Sequence, residues 1–253
     1  MNPYREAFYL RQAEWHGYTD PEFARQKHEQ RSQYYQWYTR EWLPSATDTR
    51  ILDIGCGSGQ FLYFLRKAGY AHAQGVDLDS TQVEVARSLG LDCRAVPVID
   101  YLREDMPPFG LIAMLDILEH FTREELYPIM EAVVARLAPG GKVIVSVPNA
   151  ESPDGLRAVY ADITHELAFS PTSLAELFFC HGLRVQAFRD PWPAPVSPAR
   201  ECYRAVTIVA RSLESFRLRL LGFDPPKYWS SVIWAIAQKP LDAGAQSPDG
   251  RGT

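Results

Sequence analysis

Asp53-Ile54-Gly55-Cys56-Gly57-Ser58-Gly59 decides the fold of this chain. A short apolar strand, Ile51-Leu52, precedes it, and the helix-like run Phe61-Leu62-Tyr63-Phe64-Leu65 follows. The glycines alternate with small residues where strand should turn into helix. With no Cβ in the way and φ > 0 tolerated, such a turn lets the backbone approach a ligand closely. Strand, glycine loop and helix form the crevice of open α/β sheets, where ligands sit at the carboxyl ends of the strands. The competing reading is a purely structural glycine-rich turn in some other α/β domain.

Two details narrow the ligand. The spacing is G-x-G-x-G rather than the G-x-G-x-x-G of dinucleotide folds, and no Gly-Lys-Ser/Thr follows as a phosphate-cradling loop requires. Asp53 ends the strand just before the loop, where a carboxylate repels a pyrophosphate and suits a cationic ligand. A second acid, Asp77, ends the next apolar stretch, Ala73-Gln74-Gly75-Val76, at the distance where a ribose-binding carboxylate belongs. A ribonucleoside with a positively charged tail is implied, and S-adenosylmethionine, with its sulfonium and ammonium, fits that description.

Four motifs carry a family resemblance: Leu52–Gly59, Gly75-Val76-Asp77-Leu78-Asp79, Asp116-Ile117-Leu118-Glu119-His120 and Leu137-Ala138-Pro139-Gly140-Gly141. In order and spacing the chain resembles the class I S-adenosylmethionine-dependent methyltransferases, closely over about residues 45–150 and more loosely to about 240. The resemblance implies a Rossmann-like α/β fold, a mostly parallel sheet with an antiparallel edge and helices on both faces. It also implies cofactor contacts: Asp53 to the ammonium, backbone of Gly55, Cys56, Gly57 and Gly59 around the methionine part, Asp77 with Leu78 at the ribose, and Asp116 at the methionine end. Many relatives carry a Gly-Asp pair after the third strand that contacts adenine. Here that position falls on Val96-Pro97, so adenine recognition is expected from backbone around Val98, with Asp100 a weaker candidate.

Composition sets the outer limits. The 253 residues suffice for one α/β domain with additions. A net charge of −5 gives no electrostatic footprint for nucleic acid. Cys56, Cys93, Cys180 and Cys202 lack metal-site or disulfide spacing. No apolar run reaches the ~20 residues that span a bilayer, and the polar N-terminus is not a signal peptide. The expectation is a cytoplasmic protein with a small-molecule or glycan substrate; nothing in the sequence fixes an oligomeric state.

Alternating patterns predict strands at 50–54, 73–76, 92–96, 111–115 and 142–147, with helices at 60–68, 80–89 and 123–136, the rhythm of a parallel sheet covered on both faces. A helix is predicted from Pro21 to Trp42, capped by Asp20 and ended by Pro44; the family resemblance implies that it belongs to an N-terminal lid over residues 1–45, its aromatics serving either as lid or as packing. The methyltransferase domain is expected over 46–239, with a loop at 161–170, a helix at 172–181 capped by Ser170 or Thr172, and strands at 183–188 and 231–237. A Pro-rich insertion over about 189–229 continues into an Arg-bearing amphipathic helix at 199–221. Residues 240–253 read as a disordered tail.

Two further constellations bear on chemistry. Asp116-x-x-Glu119-His120 resembles the Glu-x-x-Glu-His of quinone-pathway O-methyltransferases, implying a divalent metal such as Mg held by Asp116, Glu119 and His120. The alternatives are a general-base role for His120, or Asp116 at the methionine end with Glu119 and His120 capping the next helix. The Thr164-His165 step, with Phe169-Ser170-Pro171 after it, recurs in the same branch over the substrate side. Imidazole suits removal of a hydroxyl proton, making His165 a second candidate base; the other reading has it bridging loop backbone. His16, His28, His72 and His181 are expected at the surface or at caps. The layout after residue 189 looks like small methyltransferases of bacterial surface-polysaccharide biosynthesis, implying transfer to a sugar hydroxyl of a polysaccharide or glycolipid precursor, with arginines of 199–221 meeting a phosphate. A quinone-like or small aromatic acceptor is the alternative, and a non-catalytic cofactor-binding partner protein comes third.

Overall fold

Ile51, Leu52, Asp53 and Ile54 are all buried, the pattern of a strand covered on both faces. They form β1 (Ile51–Ile54) at the centre of the sheet. The computed structural model describes residues 7–9, 11, 14, 15 and 17–241. The expected disordered tail, from residue 242 on, and His16 lie outside the described residues. Before β1 comes α1 (Pro21–Tyr38); after it come α2 (Gln60–Lys67), β2 (Ala73–Asp77), α3 (Ser80–Ser88), β3 (Asp92–Ala95), α4 (Val98–Arg103), β4 (Phe109–Leu115) and α5 (Arg123–Arg136). The chain continues through β5 (Leu137–Pro148), α6 (Gly155–Val159), α7 (Pro171–Cys180), β6 (Arg184–Arg189), α8 (Pro198–Leu220) and β7 (Val232–Gln238).

The sheet order is β3-β2-β1-β4-β5-β7-β6. β1 to β5 pair in parallel, and β7 lies antiparallel between β5 and β6. One face packs under α4, α5 and α7 through Phe109, Ile112, Met130, Val133 and Phe178; the other packs under α1 and α2 through Phe61, Leu65, Ile51, Ile144 and Trp234. The mostly parallel Rossmann-like sheet with its antiparallel edge is therefore the one anticipated. Caps fix several helix starts: Asp79 accepts from Thr81 N and Gln82 N at α3, Thr122 and Glu125 form a capping box at α5, and Ser170, not Thr172, caps α7.

Three local expectations change. α1 stops at Tyr38 rather than Trp42: Thr39 turns its hydroxyl back to Tyr35 O at 2.8 Å, and Trp42 is buried with the Arg189 guanidinium 4.1 Å over its ring. Pro44 therefore follows a helix that has already ended. β5 starts at Leu137, paired with Phe109, and reaches its main register only at Lys142. A Cβ on Gly141 would meet Ala138 O at 2.8 Å, which explains glycine there. Finally, four of the five arginines of α8, all but Arg219, have partners within the chain. Arg211 pairs with Asp190 at 3.0 Å, Arg204 with Glu201 and Arg217 with Glu214, while Arg200 stacks 4.4 Å over Trp192. Among the described residues, no helix is long and apolar enough to cross a membrane.

Candidate functional site

The carboxyl ends of β1, β2 and β4 open into one trench with two lobes. The larger, about 470 Å³, is lined by Asp77, Leu78, Val96, Val98, Ile117 and His120 among others. The smaller, about 160 Å³, is lined by Asp53, Cys56, Ser58, Gln60 and, from α1, Tyr35. Gly55, Gly57, Gln82 and Asp116 border both. The larger lobe is mainly apolar and the smaller mainly polar, as a base with its ribose and an amino-acid tail require.

The loop is shaped by its backbone. Gly55 N and Cys56 N both donate to Val76 O, at 2.8 and 3.1 Å, so the turn is stitched to β2. Gly55 has φ +73°, and a Cβ there would lie 2.9 Å from Ile117 Cδ1, so backbone alone can border the trench at this point. Gly59, at φ +85°, starts α2 from the left-handed region, and a Cβ there would lie only 2.4 Å from Leu91 Cδ1.

Asp77 is clamped: Gly57 N donates to Oδ2 at 2.7 Å and Asp79 N to Oδ1 at 2.8 Å. A carboxylate offers about four lone-pair sites, so two remain for hydroxyls of a ligand. Burial pushes its pKa up, against these amide bonds. Asp53 is buried, and desolvation, reinforced by Asp77, holds its carboxyl well above the usual range. A ligand that brings positive charge would stabilise both carboxylates. Asp116 stands at φ +53° at the trench floor, exposed to it, with Ser146 Oγ donating to Oδ1 at 2.8 Å. Val98 opens α4 at the wall of the larger lobe, which Asp100 does not reach.

Beside this trench, the turn Leu118–His120 meets the loop before α7. Glu166 N and Leu167 N both donate to Glu119 O, at 2.8 and 3.0 Å, and latch the two segments together. His120 lines the larger lobe; its Nδ1 lies 3.0 Å from Thr164 Oγ1. That hydroxyl donates to Asp162 Oδ1 at 2.6 Å, so toward the ring it can only accept. Nδ1 therefore carries the proton, and Nε2 is the basic nitrogen of the neutral imidazole. His165 sits behind His120, ring centroids 4.7 Å apart. Its Nδ1 donates to Val159 O at 2.7 Å and its Nε2 points at Glu119 Oε1, 4.0 Å away. His165 thus bridges loop backbone and does not line the trench. Glu119 is 1% exposed with Oε2 unpartnered, and burial, with Asp116 nearby, raises its pKa well above the ordinary value.

The side chains that converge are Glu119, His120 and His165, with one donor atom from each within 4.8 Å of the others. Asp116, which the sequence grouped with Glu119 and His120, instead bonds Ser146. This donor set does not fit the expected Mg²⁺, which takes oxygen ligands in octahedral array; only one of the three side chains offers oxygen.

One residue at the site escaped sequence reading. His28, expected at the surface or a cap, is fully buried, its Nε2 2.8 Å from Ser58 O in the glycine loop. Ala24, His28 and Ser32 form the buried stripe of α1, and that four-residue spacing was the available signal. Burial lowers its pKa, so the ring is neutral and donates to Ser58. His72 is exposed and His181 caps α7, as expected.

Residues 26–187 match the family model described as a methyltransferase domain. A ubiquinone biosynthesis O-methyltransferase of Xylella fastidiosa (strain M23) is 36% identical over 111 residues, covering 42% of this chain and 44% of the relative. One of the same name from Bordetella avium (strain 197N) is 31% identical over 119 residues, covering 43% and 48%. The match thus spans less than half the length of these curated relatives. The fold is shared with a SAM-dependent methyltransferase from Archaeoglobus fulgidus, at TM-score 0.59 and 20% identity, covering 87% of this chain and 95% of that one. One from Mesorhizobium loti gives 0.56 and 17%, covering 81% and 98%.

Proposed function

The chain belongs to the methyltransferase-domain family, and from that premise we propose that it transfers the methyl group of S-adenosylmethionine to a hydroxyl oxygen. Asp53 would hold the tail ammonium and Asp77 the ribose hydroxyls. Val98 and the apolar wall it belongs to would take the adenine, and Asp116 would meet the methionine end. A carboxylate held on two ribose hydroxyls makes charge-assisted bonds, among the stronger available.

The observation that carries oxygen as the acceptor is the Asp162–Thr164–His120 chain. In the transfer, the acceptor oxygen attacks the methyl carbon in line and the C–S bond breaks, its electron pair remaining on sulfur. The acceptor's proton passes to His120 Nε2. Alignment supplies much of the rate in such a displacement; a base matters most when the oxygen is an unactivated alcohol. Asp162 and Thr164 orient the imidazole and hold its tautomer, and His165 and Glu119 pack behind it.

A sugar hydroxyl of a polysaccharide or glycolipid precursor is the preferred acceptor. A second cavity of about 570 Å³ follows the end of β5, where Trp192 and Trp229 stand with Arg211, Asp154 and Glu214. Aromatic faces among ionic groups suit a polar ring. A quinone-like phenol is the second reading, favoured by the name shared by the Xylella and Bordetella relatives. Transfer of labelled methyl from S-adenosylmethionine to sugar nucleotides, set against catechols, separates the two. Transfer to neither oxygen acceptor, by protein that binds the cofactor, would overturn the O-methylation reading.

A further inference from the structure

α8 is amphipathic the wrong way round. Its half-buried residues, among them Arg204, Thr207, Arg211, Ser215 and Leu218, recur every three or four positions and are mostly polar; this is the face toward the body of the protein. Arg211 reaches Asp190 from it. The opposite face carries Val206, Val209, Leu213, Phe216 and Leu220, each between 60% and 71% exposed, and the helix has no buried residue. An ordinary surface helix turns its apolar stripe to the core. Here the stripe faces outward, flanked by Ala205 and Ala210, which leave a shallow, wholly apolar groove.

The spacing identifies what fits. Positions 202, 206, 209, 213, 216 and 220 alternate by four and three, the narrow seam by which one helix packs along another. We propose that α8 is a dimerisation helix that pairs antiparallel with α8 of a second copy. In that register Cys202 lies level with the second copy's Leu220, Val206 with its Phe216 and Val209 with its Leu213, and the reciprocal contacts complete six layers. Charge selects the direction. Glu201 and Arg219 lie on the same flank at opposite ends of the helix, so antiparallel pairing sets each beside the other's counterpart. Parallel pairing puts this flank of the two copies on opposite sides of the seam, and the attraction between Glu201 and Arg219 is lost. Size is adequate: the 23 residues span about 34 Å at a width of about 10 Å, and with side-chain relief two such faces bury roughly 1,300 Å² together, within the range of specific interfaces. A lipid surface is the poorer fit, since membrane-lying helices carry a basic rim. This seam is bordered by Arg217 and Arg219 but equally by Glu201 and Glu214.

Sedimentation velocity of the full chain at about 50 μM, above the micromolar limit typical of interfaces this size, should give twice the monomer mass. Leu213→Glu with Phe216→Glu should return the monomer, folded as judged by an unchanged far-UV spectrum and melting where the wild type melts when diluted to monomer, because both side chains are exposed in the single chain; Val209→Arg tests the same seam by a single change. Under mild oxidation Leu220→Cys should yield a covalent dimer, mapped by peptide mass to Cys202 joined with position 220. A wild-type monomer, a dimer that survives the seam substitutions, or a wild-type Cys202–Cys202 link would each overturn the proposal. So would a monomer that floats with phosphatidylglycerol vesicles.

Discussion

Acidification should weaken cofactor binding through Asp53. Its carboxyl is 3% exposed, and burial, reinforced by Asp77, holds its pKa well above 3.8. In the ligand-free protein it keeps its proton to a higher pH than an ordinary aspartate. The ammonium of S-adenosylmethionine, set beside it, favours the charged form. Binding therefore expels a proton at any pH between the bound and free pKa values. Across that interval affinity rises with pH by at most tenfold per unit, about 1.36 kcal/mol, and above the free pKa it levels off. In Asp53→Asn the proton is gone. On the plateau the variant loses one charge-assisted interaction, about 1.5–3 kcal/mol or roughly 10- to 150-fold in Kd; at the acid end the two proteins converge. Titration calorimetry from the most acidic pH at which the protein stays folded up to about pH 7, below the ~7.7 where an α-amine itself titrates, reads both quantities. Paired runs in phosphate and Tris count the protons through the buffer's ionisation heat, and subtracting the variant isolates Asp53 from Asp77. A flat Kd with buffer-independent heat, or a variant that tracks the wild type in slope, would refute the reasoning.

Thr164→Val removes the acceptor that keeps the proton on His120 Nδ1, and kcat should fall roughly 10- to 100-fold, part of what a general base supplies, with cofactor Kd within about twofold; an equal rise in Kd would reassign Thr164 to binding. Glu119 binds its proton more tightly folded than unfolded, so its favourable contribution is complete below about pH 4.5 and is lost as pH rises through the folded value. Glu119→Gln should accordingly gain on the wild type as pH rises from about 4.5 toward the raised folded value, by up to ~1.36 kcal/mol per unit, and melting curves whose gap narrows with pH would contradict this. Gly59→Ala adds a left-handed residue and a contact with Leu91 Cδ1, together about 2–4 kcal/mol, or a melting point lower by roughly 5–15 °C; a loss under 2 °C would mean the loop relaxes freely.

The sheet and the donor half of the site were legible because their signals are local. Asp53, the glycines and Asp77 sit at strand ends whose apolar runs place them, and the backbone amides on Asp77 follow from the turn itself. The acceptor side was read less well because its partners converge from distant stretches. Nothing near His120 in sequence announces that Thr164, 44 positions on, will bond its Nδ1, and two candidate bases became one imidazole at the trench with another behind it. His28 was missed for the opposite reason: a lone histidine in a polar helix looks like surface until α1 is laid on the glycine loop. In α8 the periodicity was visible, but which face met the protein was not, since arginines can hold a helix to its body as firmly as leucines.

The bond from His28 to Ser58 makes α1 a reporter of the cofactor. Tyr35 of the same helix lines the small lobe, so the helix touches both the loop and whatever fills the lobe. Free energy that the occupant gains from a docked α1 is returned, in equal measure, to the docking of α1. Amide hydrogens of residues 21–38 should therefore exchange with solvent more slowly once donor is bound. Occupancy can then be followed, and inhibitors of donor binding ranked, before any acceptor is known.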